Sequence, residues 1–297
     1  MADIELVRGE DVWTGRFRAM GGPCEVLIDV ARESVARGLV ERAAACAWRI
    51  EHKFSRYRAD NVVARINDAR GAAVEVDDET ANLLDFADRV HRLSGGSFDI
   101  TSGVLRRAWT FDGGGRVPTA AELERLLPLV GWSKARWARP SLRLAPDMQI
   151  DFGGIGKEYA VDQATLLLSG LSDAPALVNF GGDLAVTRAR SGDRAWRVGI
   201  EDVSQPAQRH GVRLIELASG ALATSGDTHR YVTANGERLS HILDPRSGFP
   251  VRGAARSVTV AAPNCTNAGT LTTLAMLRGA GAEEFLQSEG VRHWIQR

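Results

Sequence analysis

Hydrophobic positions along the chain fall into two periods. Between Trp13 and Val30 apolar residues alternate with polar ones, first in Trp13 to Phe17 and again in Cys24-Glu-Val-Leu-Ile-Asp-Val30. With Met20-Gly21-Gly22-Pro23 between them, the two runs predict a β-hairpin. From Ser34 to about Asn67 the spacing becomes helical, with Val35, Leu39, Val40, Ala43, Cys46, Ala47 and Ile50 on one face. That run ends in Phe54-Ser-Arg-Tyr-Arg58, and a short helix, Val62–Ile66, follows. Residues 78–93 read as a further amphipathic helix, with Asp78 as its N-cap and Ser94-Gly95-Gly96 as its stop. Just beyond it comes Ser97-Phe98-Asp99-Ile100-Thr101.

The later chain alternates with period two more often. After a Gly-rich loop at 112–118, Thr119 caps a helix, Ala120–Leu127, and strands are expected around Trp137 and Leu142–Leu144. Met148, Ile150 and Phe152 predict a strand running into Asp151-Phe-Gly-Gly-Ile-Gly-Lys-Glu-Tyr-Ala-Val-Asp162, which continues as a helix from Tyr159 to Leu168. Ala176–Phe180, Leu184–Thr187 and Arg194–Ile200 read as antiparallel strands, and 212–217 with 221–224 as another strand pair. Tyr231–Thr233 and Leu239–Leu243 form a hairpin across Asn235-Gly236. Strand Ser257–Ala262, helices Asn267–Leu277 and 282–289, and a last strand complete the chain. Early helices and late antiparallel strands point to an α+β fold rather than a doubly wound one. The organisation expected is an N-terminal extension at 1–12 and one two-lobed domain at 13–297.

Composition narrows the partners. The 297 residues are 44% hydrophobic and 25% charged, as in ordinary soluble globular proteins. Lys plus Arg and Asp plus Glu number 37 each, so no bulk charge favours a nucleic acid. Cys24, Cys46 and Cys265 are scattered without metal-ligand spacing and read as reduced thiols. The N-terminus is charged where a signal peptide would be apolar, and no run reaches transmembrane length. A cytoplasmic protein with no stable membrane association is expected.

The glycine turn within Asp151–Asp162 has two readings. Backbone N–H groups at a Gly-rich helix start approach an anion closely, and the helix end adds partial positive charge. A tight turn with no ligand is the other, since the spacing matches neither a P-loop nor a dinucleotide fingerprint. Further polar clusters stand at Ser97–Thr101, Gly181–Asp183, Thr224–Asp227 and His241–Gly248. Each alone is an ordinary turn or cap.

Taken in order, these clusters resemble a known family. Phe54-Ser-Arg-Tyr57, Gly95-Gly-Ser-Phe-Asp-Ile-Thr101, Asp151-Phe-Gly-Gly-Ile-Gly-Lys157, Asn179-Phe-Gly-Gly-Asp183, Ala223-Thr-Ser-Gly-Asp227 and Ser240-His-Ile-Leu-Asp-Pro-Arg-Ser-Gly248 follow the motif order of the FAD:protein FMN transferase (ApbE-like) family. The resemblance runs from Met20 to about Leu277. It implies FAD as substrate, Mg²⁺ as metal, and a flavoprotein acceptor whose Ser or Thr receives FMN as AMP leaves. Phosphoryl transfer of this kind depends on positioning and charge neutralisation.

By the same resemblance Met20 and Tyr57 border the flavin or adenine, and Ser97, Phe98 and Asp99 line that pocket. Asp151 contacts the nucleotide, Lys157 lies near FAD, and Thr224, Ser225, Gly226 and Asp227 form a loop over the flavin. His241 and Ile242 lie close to the pyrophosphate. There His241 is either the base for the incoming hydroxyl or a structural histidine bonded to backbone. The remaining histidines, His52, His91, His210, His229 and His293, read as surface or capping residues. The carbonyl of Gly154 and the side chain of Thr273 face the metal.

The last motif departs from the family pattern. Asn267-Ala268-Gly269-Thr270-Leu271-Thr272-Thr273 carries Gly269 where the family has a metal-binding Asp, and Thr272 where a second Asp can occur. Mg²⁺ is usually held by one or two carboxylates together with phosphates. Asn267 and Asp183 are candidate replacements, and Gly269→Asp is expected to raise Mg²⁺ affinity. A second departure is Glu158, where a small glycine is usual; it either crowds the ligand or adds a carboxylate near the metal. Three activities stay open: FMN transfer, FAD binding without transfer, and FAD hydrolysis to FMN and AMP.

Overall fold

The alternation between Trp13 and Val30 becomes the start of an eight-stranded antiparallel sheet. The computed structural model describes residues 3–111, 114, 116–204, 211–227, 230–234 and 236–297. Strands β1 (Glu5–Arg8), β2 (Trp13–Ala19) and β3 (Gly22–Ile28) precede helices α1 (Glu33–Phe54) and α2 (Val62–Asn67). Strand β4 (Ala73–Glu75) and helix α3 (Asp78–Leu93) lead through a 3-10 segment, Ile100–Arg107, to α4 (Ala120–Leu126), β5 (Arg136–Ala138) and β6 (Ser141–Arg143). Helix α5 (Gly156–Leu171) is followed by β7 (Ala176–Phe180), β8 (Asp183–Val186), β9 (Trp196–Glu201), β10 (Gly211–Leu217) and β11 (Gly220–Gly226). The hairpin β12 (Tyr231–Ala234) and β13 (Glu237–Ser240) comes next. It is followed by β14 (Ser257–Ala262), α6 (Cys265–Leu277), α7 (Ala282–Ser288) and β15 (Arg292–Gln296).

The large sheet has the order β1-β2-β3-β7-β8-β11-β14-β15, with every pairing antiparallel. Its central strands bury both faces. Val26, Val178, Phe180, Ala185 and Ala223 belong to the core shared with α1, α5 and the start of α6. Their chain neighbours Leu177, Leu184, Val186 and Leu222 point the other way, onto Trp196, Ile200, Ile215 and Leu217 of the β9–β10 hairpin. The result is a single-domain α+β fold with helices on one face of the sheet and a hairpin on the other. A smaller body surrounds Val104, Leu105, Trp109, Leu123, Val130 and Val232. Trp109 Nε1 donates to the Gly248 carbonyl at 2.8 Å, which joins it to the turn after β13.

One carboxylate ties three helices together. Glu79 on α3 accepts from Arg49 at 2.7 and 2.8 Å and from Lys53 at 2.7 Å, both on α1, and from the Tyr159 hydroxyl of α5 at 3.0 Å. These bonds, with Arg49 first, hold its carboxyl down to about 2.

Several expectations change. Residues 5–8, set apart as part of an extension, pair with β2 in register Glu5–Arg16 to Arg8–Trp13 and form the edge of the sheet. Met148, Ile150 and Phe152 are buried as their alternation implies, yet the segment is not a strand. Its backbone bonds are taken instead by the Asn67 amide, which brackets Ile150 at 2.8 and 3.1 Å, and by the Ile100 carbonyl, which accepts from Asp151 N–H at 2.8 Å. Helix α5 starts three residues before Tyr159, at Gly156. The cap of α3 is Asp77, not Asp78, with its side chain accepting from Thr80 N–H. Strand β10 pairs with β9, while β11 crosses to β8 and β14, so 212–217 and 221–224 are not partners.

Asn235 of the predicted turn, part of the 112–118 loop, His210 and His229 lie outside the described residues. All three cysteines are free thiols. Among the described residues no helix is long and apolar enough to cross a membrane.

Candidate active site

A cleft of about 890 Å³ opens between the large sheet and the smaller body. Met20, Tyr57, Ser97, Phe98, Asp99, Asp151, Gly154, Lys157, Thr224, Ser225, Gly226, His241, Ile242 and Thr273 all line it. Residues from six separate motifs therefore share one cavity. Asp227 does not line it.

Two tight turns shape the rim. Met20 and Gly21 adopt φ of +55° and +73°, the left-handed pair that a two-residue hairpin turn requires between β2 and β3. Tyr57, 82% exposed, stands opposite at the end of α1. The neighbouring Arg56 reaches inward, donating to the Gly103 carbonyl at 2.7 Å and to Asp151 Oδ2 at 3.0 Å. Asp151 Oδ1 accepts from Gly153 N–H at 2.9 Å, and Arg106 lies 3.8 Å from Oδ2. Asp151 thus fixes the glycine turn from which α5 departs.

The Asp99 carboxylate is tied into the cavity wall. Oδ1 accepts from Thr101 N–H at 2.8 Å and from its hydroxyl at 2.5 Å, and Oδ2 from Trp132 N–H at 2.8 Å. His91, expected to be a surface or capping residue, donates from Nδ1 to the Phe98 carbonyl just past α3 at 3.0 Å and lies 3.5 Å from Asp99 Oδ2. Asp99 and His91 hold the Ser97–Asp99 wall in place. Ser97 donates to the Ser94 carbonyl at 3.0 Å, and the Phe98 ring packs near Gly154.

Asp227 is likewise structural. Its buried carboxylate accepts from Arg256 at 2.9 Å and lies 3.4 Å from Arg238, whose guanidinium also reaches the Asp227 carbonyl. This pairing draws the side chain out of the loop that Thr224, Ser225 and Gly226 present to the cleft.

The floor is built by α5 against α6. Asp162 accepts from the N–H groups of Cys265 and Thr266 at 2.7 and 2.8 Å and from the Thr266 hydroxyl at 2.6 Å. A carboxylate on one helix so caps the other. The two helices run in opposite senses. One turn back along α5 from Asp162 is Glu158, and one turn forward along α6 from Cys265 is Gly269. There the two helices meet: a Cβ added to Gly269 would stand 2.4 Å from Glu158 Cγ and 2.8 Å from its Oε1.

Glu158 is buried, and its Oε2 has no hydrogen-bond partner. Burial, then the negative charge of Asp183, pushes its carboxyl up to about 7. Lys157 offsets this only in part, because its ammonium sits 2.7 Å from Asp183 Oδ2. Asp183 Oδ1 in turn accepts from Thr224 N–H at 2.9 Å. Asn267 is exposed and does not line the cleft, which removes it as a replacement for the missing Asp. Ser225 and Thr272 share a hydroxyl hydrogen bond of 2.8 Å, and Thr272 donates to the Gly269 carbonyl at 2.9 Å. Thr273 is left facing the cavity. Among the described residues no group of three or more His, Cys, Asp or Glu is poised around one metal position. A cation here would draw further oxygens from hydroxyls, carbonyls and ligand phosphates.

His241 lies on the wall beside Arg106 and Arg230. Its Nδ1 is 3.1 Å from the Arg230 carbonyl. A carbonyl only accepts, so Nδ1 carries the proton and Nε2 keeps its lone pair. Burial, then the charges of Arg106 and Arg230, lowers its pKa to about 4, which leaves the imidazole neutral at pH 7. Together with Arg56, these arginines put three guanidinium groups on the cavity lining. Arg56 lies within a motif the sequence displayed. Arg106 and Arg230 belong to none, and only their place in the fold brings them here.

Residues 20–295 match the model of the ApbE family. The chain is 30% identical over 235 residues to the FAD:protein FMN transferase of Vibrio cholerae, covering 77% of this chain and 70% of that protein. The crystal structure of the ApbE protein from Thermotoga maritima superposes with a TM-score of 0.86 at 31% identity, over 96% of this chain and 94% of that one. The apo form of the flavinyl transferase ApbE from Pseudomonas stutzeri gives 0.80 at 27% identity, over 99% and 91%.

Proposed function

The chain belongs to the ApbE family, and from that premise we propose that it is an FAD:protein FMN transferase. It cleaves the FAD pyrophosphate and joins FMN through a phosphoester to a Ser or Thr hydroxyl of an acceptor flavoprotein. The observation that carries this reading is the single cleft that collects His241, three arginines and the Gly-rich start of α5.

In this reading the acceptor oxygen attacks the phosphorus of the FMN half. The bond from that phosphorus to the bridging oxygen breaks, and AMP leaves with the oxygen. The hydroxyl proton passes to His241 Nε2, which the bond from Nδ1 to the Arg230 carbonyl leaves as the acceptor. Arg56, Arg106 and Arg230 supply positive charge beside the phosphates, and Met20, Tyr57 and Phe98 offer apolar surface to the rings. Asp99, Asp151 and Asp227 hold the walls through the bonds described above. Ser225 and Thr224 shape the facing loop.

A divalent metal fits the floor, because the unpartnered, buried oxygen of Glu158 leaves negative charge there uncompensated. Thr273 and the Gly154 carbonyl are the neutral oxygens that would join in holding it. A divalent metal held there would supply positive charge to the phosphates during transfer. The whole sheet, β1 included, is taken as part of the catalytic domain. The free thiols support a cytoplasmic setting.

The test incubates the protein with FAD, Mg²⁺ and an acceptor flavoprotein domain, followed by mass spectrometry of the acceptor and quantitation of AMP. An acceptor heavier by one FMN moiety, with stoichiometric AMP, is the expected result. AMP without acceptor modification means hydrolysis, and bound FAD with neither product means a flavin binder.

A further inference from the structure

Position 269 presents no side chain to the cleft floor, and the space beside it is filled from the opposite helix. The aliphatic part of Glu158 lies across Gly269 so closely that even a methyl group there would overlap its Cγ. The carboxylate at the end of that side chain is buried, 6% exposed, with Oε2 lacking any hydrogen-bond partner. An ionised oxygen in that position needs a positive charge or several donors. The adjacent Lys157 is engaged by Asp183 at 2.7 Å. Ionised together, Lys157, Asp183 and Glu158 carry one uncompensated negative charge at the edge of a cavity that also exposes Thr273.

We propose that Glu158 supplies the carboxylate ligand for a hard divalent cation such as Mg²⁺. It does so from α5, in the space left on α6 by the glycine at 269. This rests on the reading of the cleft as a nucleotide and metal site, and it adds which residue holds the metal. The register that makes it possible is set by Asp162. By capping α6 one turn away, it fixes Glu158 opposite Gly269.

The test measures metal binding directly on the full chain, by calorimetry with Mg²⁺ and by electron paramagnetic resonance with Mn²⁺, with and without FAD. FAD binding is followed separately by flavin fluorescence in the absence of metal. Glu158→Gln keeps the side-chain volume and removes the charge. It is expected to weaken Mn²⁺ binding by at least about tenfold, the loss typical even of a residue that only supports a ligand. FAD affinity without metal is expected not to fall, because the charge removed repels the phosphates. The double variant Glu158→Gly with Gly269→Asp, which returns the carboxylate to α6, is expected to recover most of the wild-type Mn²⁺ affinity. Thermal melts establish that each variant is folded.

Wild-type Mn²⁺ affinity in Glu158→Gln would overturn the proposal, as would a wild-type protein that binds FAD but no metal. Failure to bind FAD at all would instead strike the nucleotide reading, which the metal titration without nucleotide keeps separate.

Discussion

Glu158 on α5 lies across Gly269 on α6, with 2.4 Å between its Cγ and the point where a Cβ of residue 269 would sit. The two positions behave as one site shared between helices. A substitution at either must be judged by the side chain at the other.

Gly269→Asp made alone is therefore expected to lower stability rather than improve the metal site, contrary to the expectation from sequence. Forcing atoms into a filled site typically costs about 1–3 kcal/mol. A second carboxylate next to Glu158 and Asp183 adds repulsion. Chemical denaturation of the metal-free variant should show the loss, and it should be larger than for the double variant with Glu158→Gly.

Asp162→Ala removes the acceptor for Cys265 N–H, Thr266 N–H and the Thr266 hydroxyl. The expected cost is about 1–2 kcal/mol, as for a lost helix cap. Hydrogen exchange should show the first turn of α6 opening more often, together with the cleft floor.

His241→Gln is expected to slow FMN transfer by about 10²–10⁴-fold, the range for a lost general base, with FAD affinity little changed. The neutral imidazole has its pKa lowered to about 4 by burial and by Arg106 and Arg230. The acid limb of kcat/KM should accordingly fall near pH 4, well below the ordinary histidine range. Arg106→Gln should move that limb upward. For stability the sign is the same: the folded state prefers neutral His241. Its contribution is complete above the unfolded pKa and is lost as pH falls through about 4. Kinetics across pH 4 to 8, with a parallel melt series, checks both.

Asp227→Ala is expected to act through stability first. It strips the buried partner from Arg256 at 2.9 Å and leaves Arg238 without the carboxylate 3.4 Å away. Both arginines stay partly exposed, so the loss of these charged hydrogen bonds should cost about 1–3 kcal/mol. At a temperature where the variant remains folded, FAD affinity should change less than for Arg56 variants, since Asp227 does not line the cleft.

The parts of this fold that were legible in the sequence are those governed by local periodicity. The apolar stripe from Val35 to Ile50 could only be a helix face, and Thr119 was legible as a cap, which the structure completes as a capping box with Glu122. Met148, Ile150 and Phe152 misled because alternation reports burial on one side, whereas a strand also needs a backbone partner. Here a side-chain amide, Asn67, takes that place. The pairing of β10 with β9 was hidden because strand neighbours depend on the whole sheet order.

For the site, motif order brought together residues from far-apart segments, but motif membership did not reveal which way each carboxylate points. Asp99 and Asp227 stand in motifs and serve the walls. Arg106 and Arg230 stand in none and face the cavity. Glu158 was visible as an oddity. Its meaning depended on the antiparallel packing of α5 on α6, a relation between residues over a hundred positions apart that no single motif encodes.

The Asp162 cap gives this arrangement a mechanical side. The carboxylate at the floor and the open N-terminal turn facing the cavity both ride on α5, so they translate and tilt as one rigid lever. Its fulcrum is the cap on α6. Nudging that helix would shift the Glu158 carboxylate and the glycine turn together.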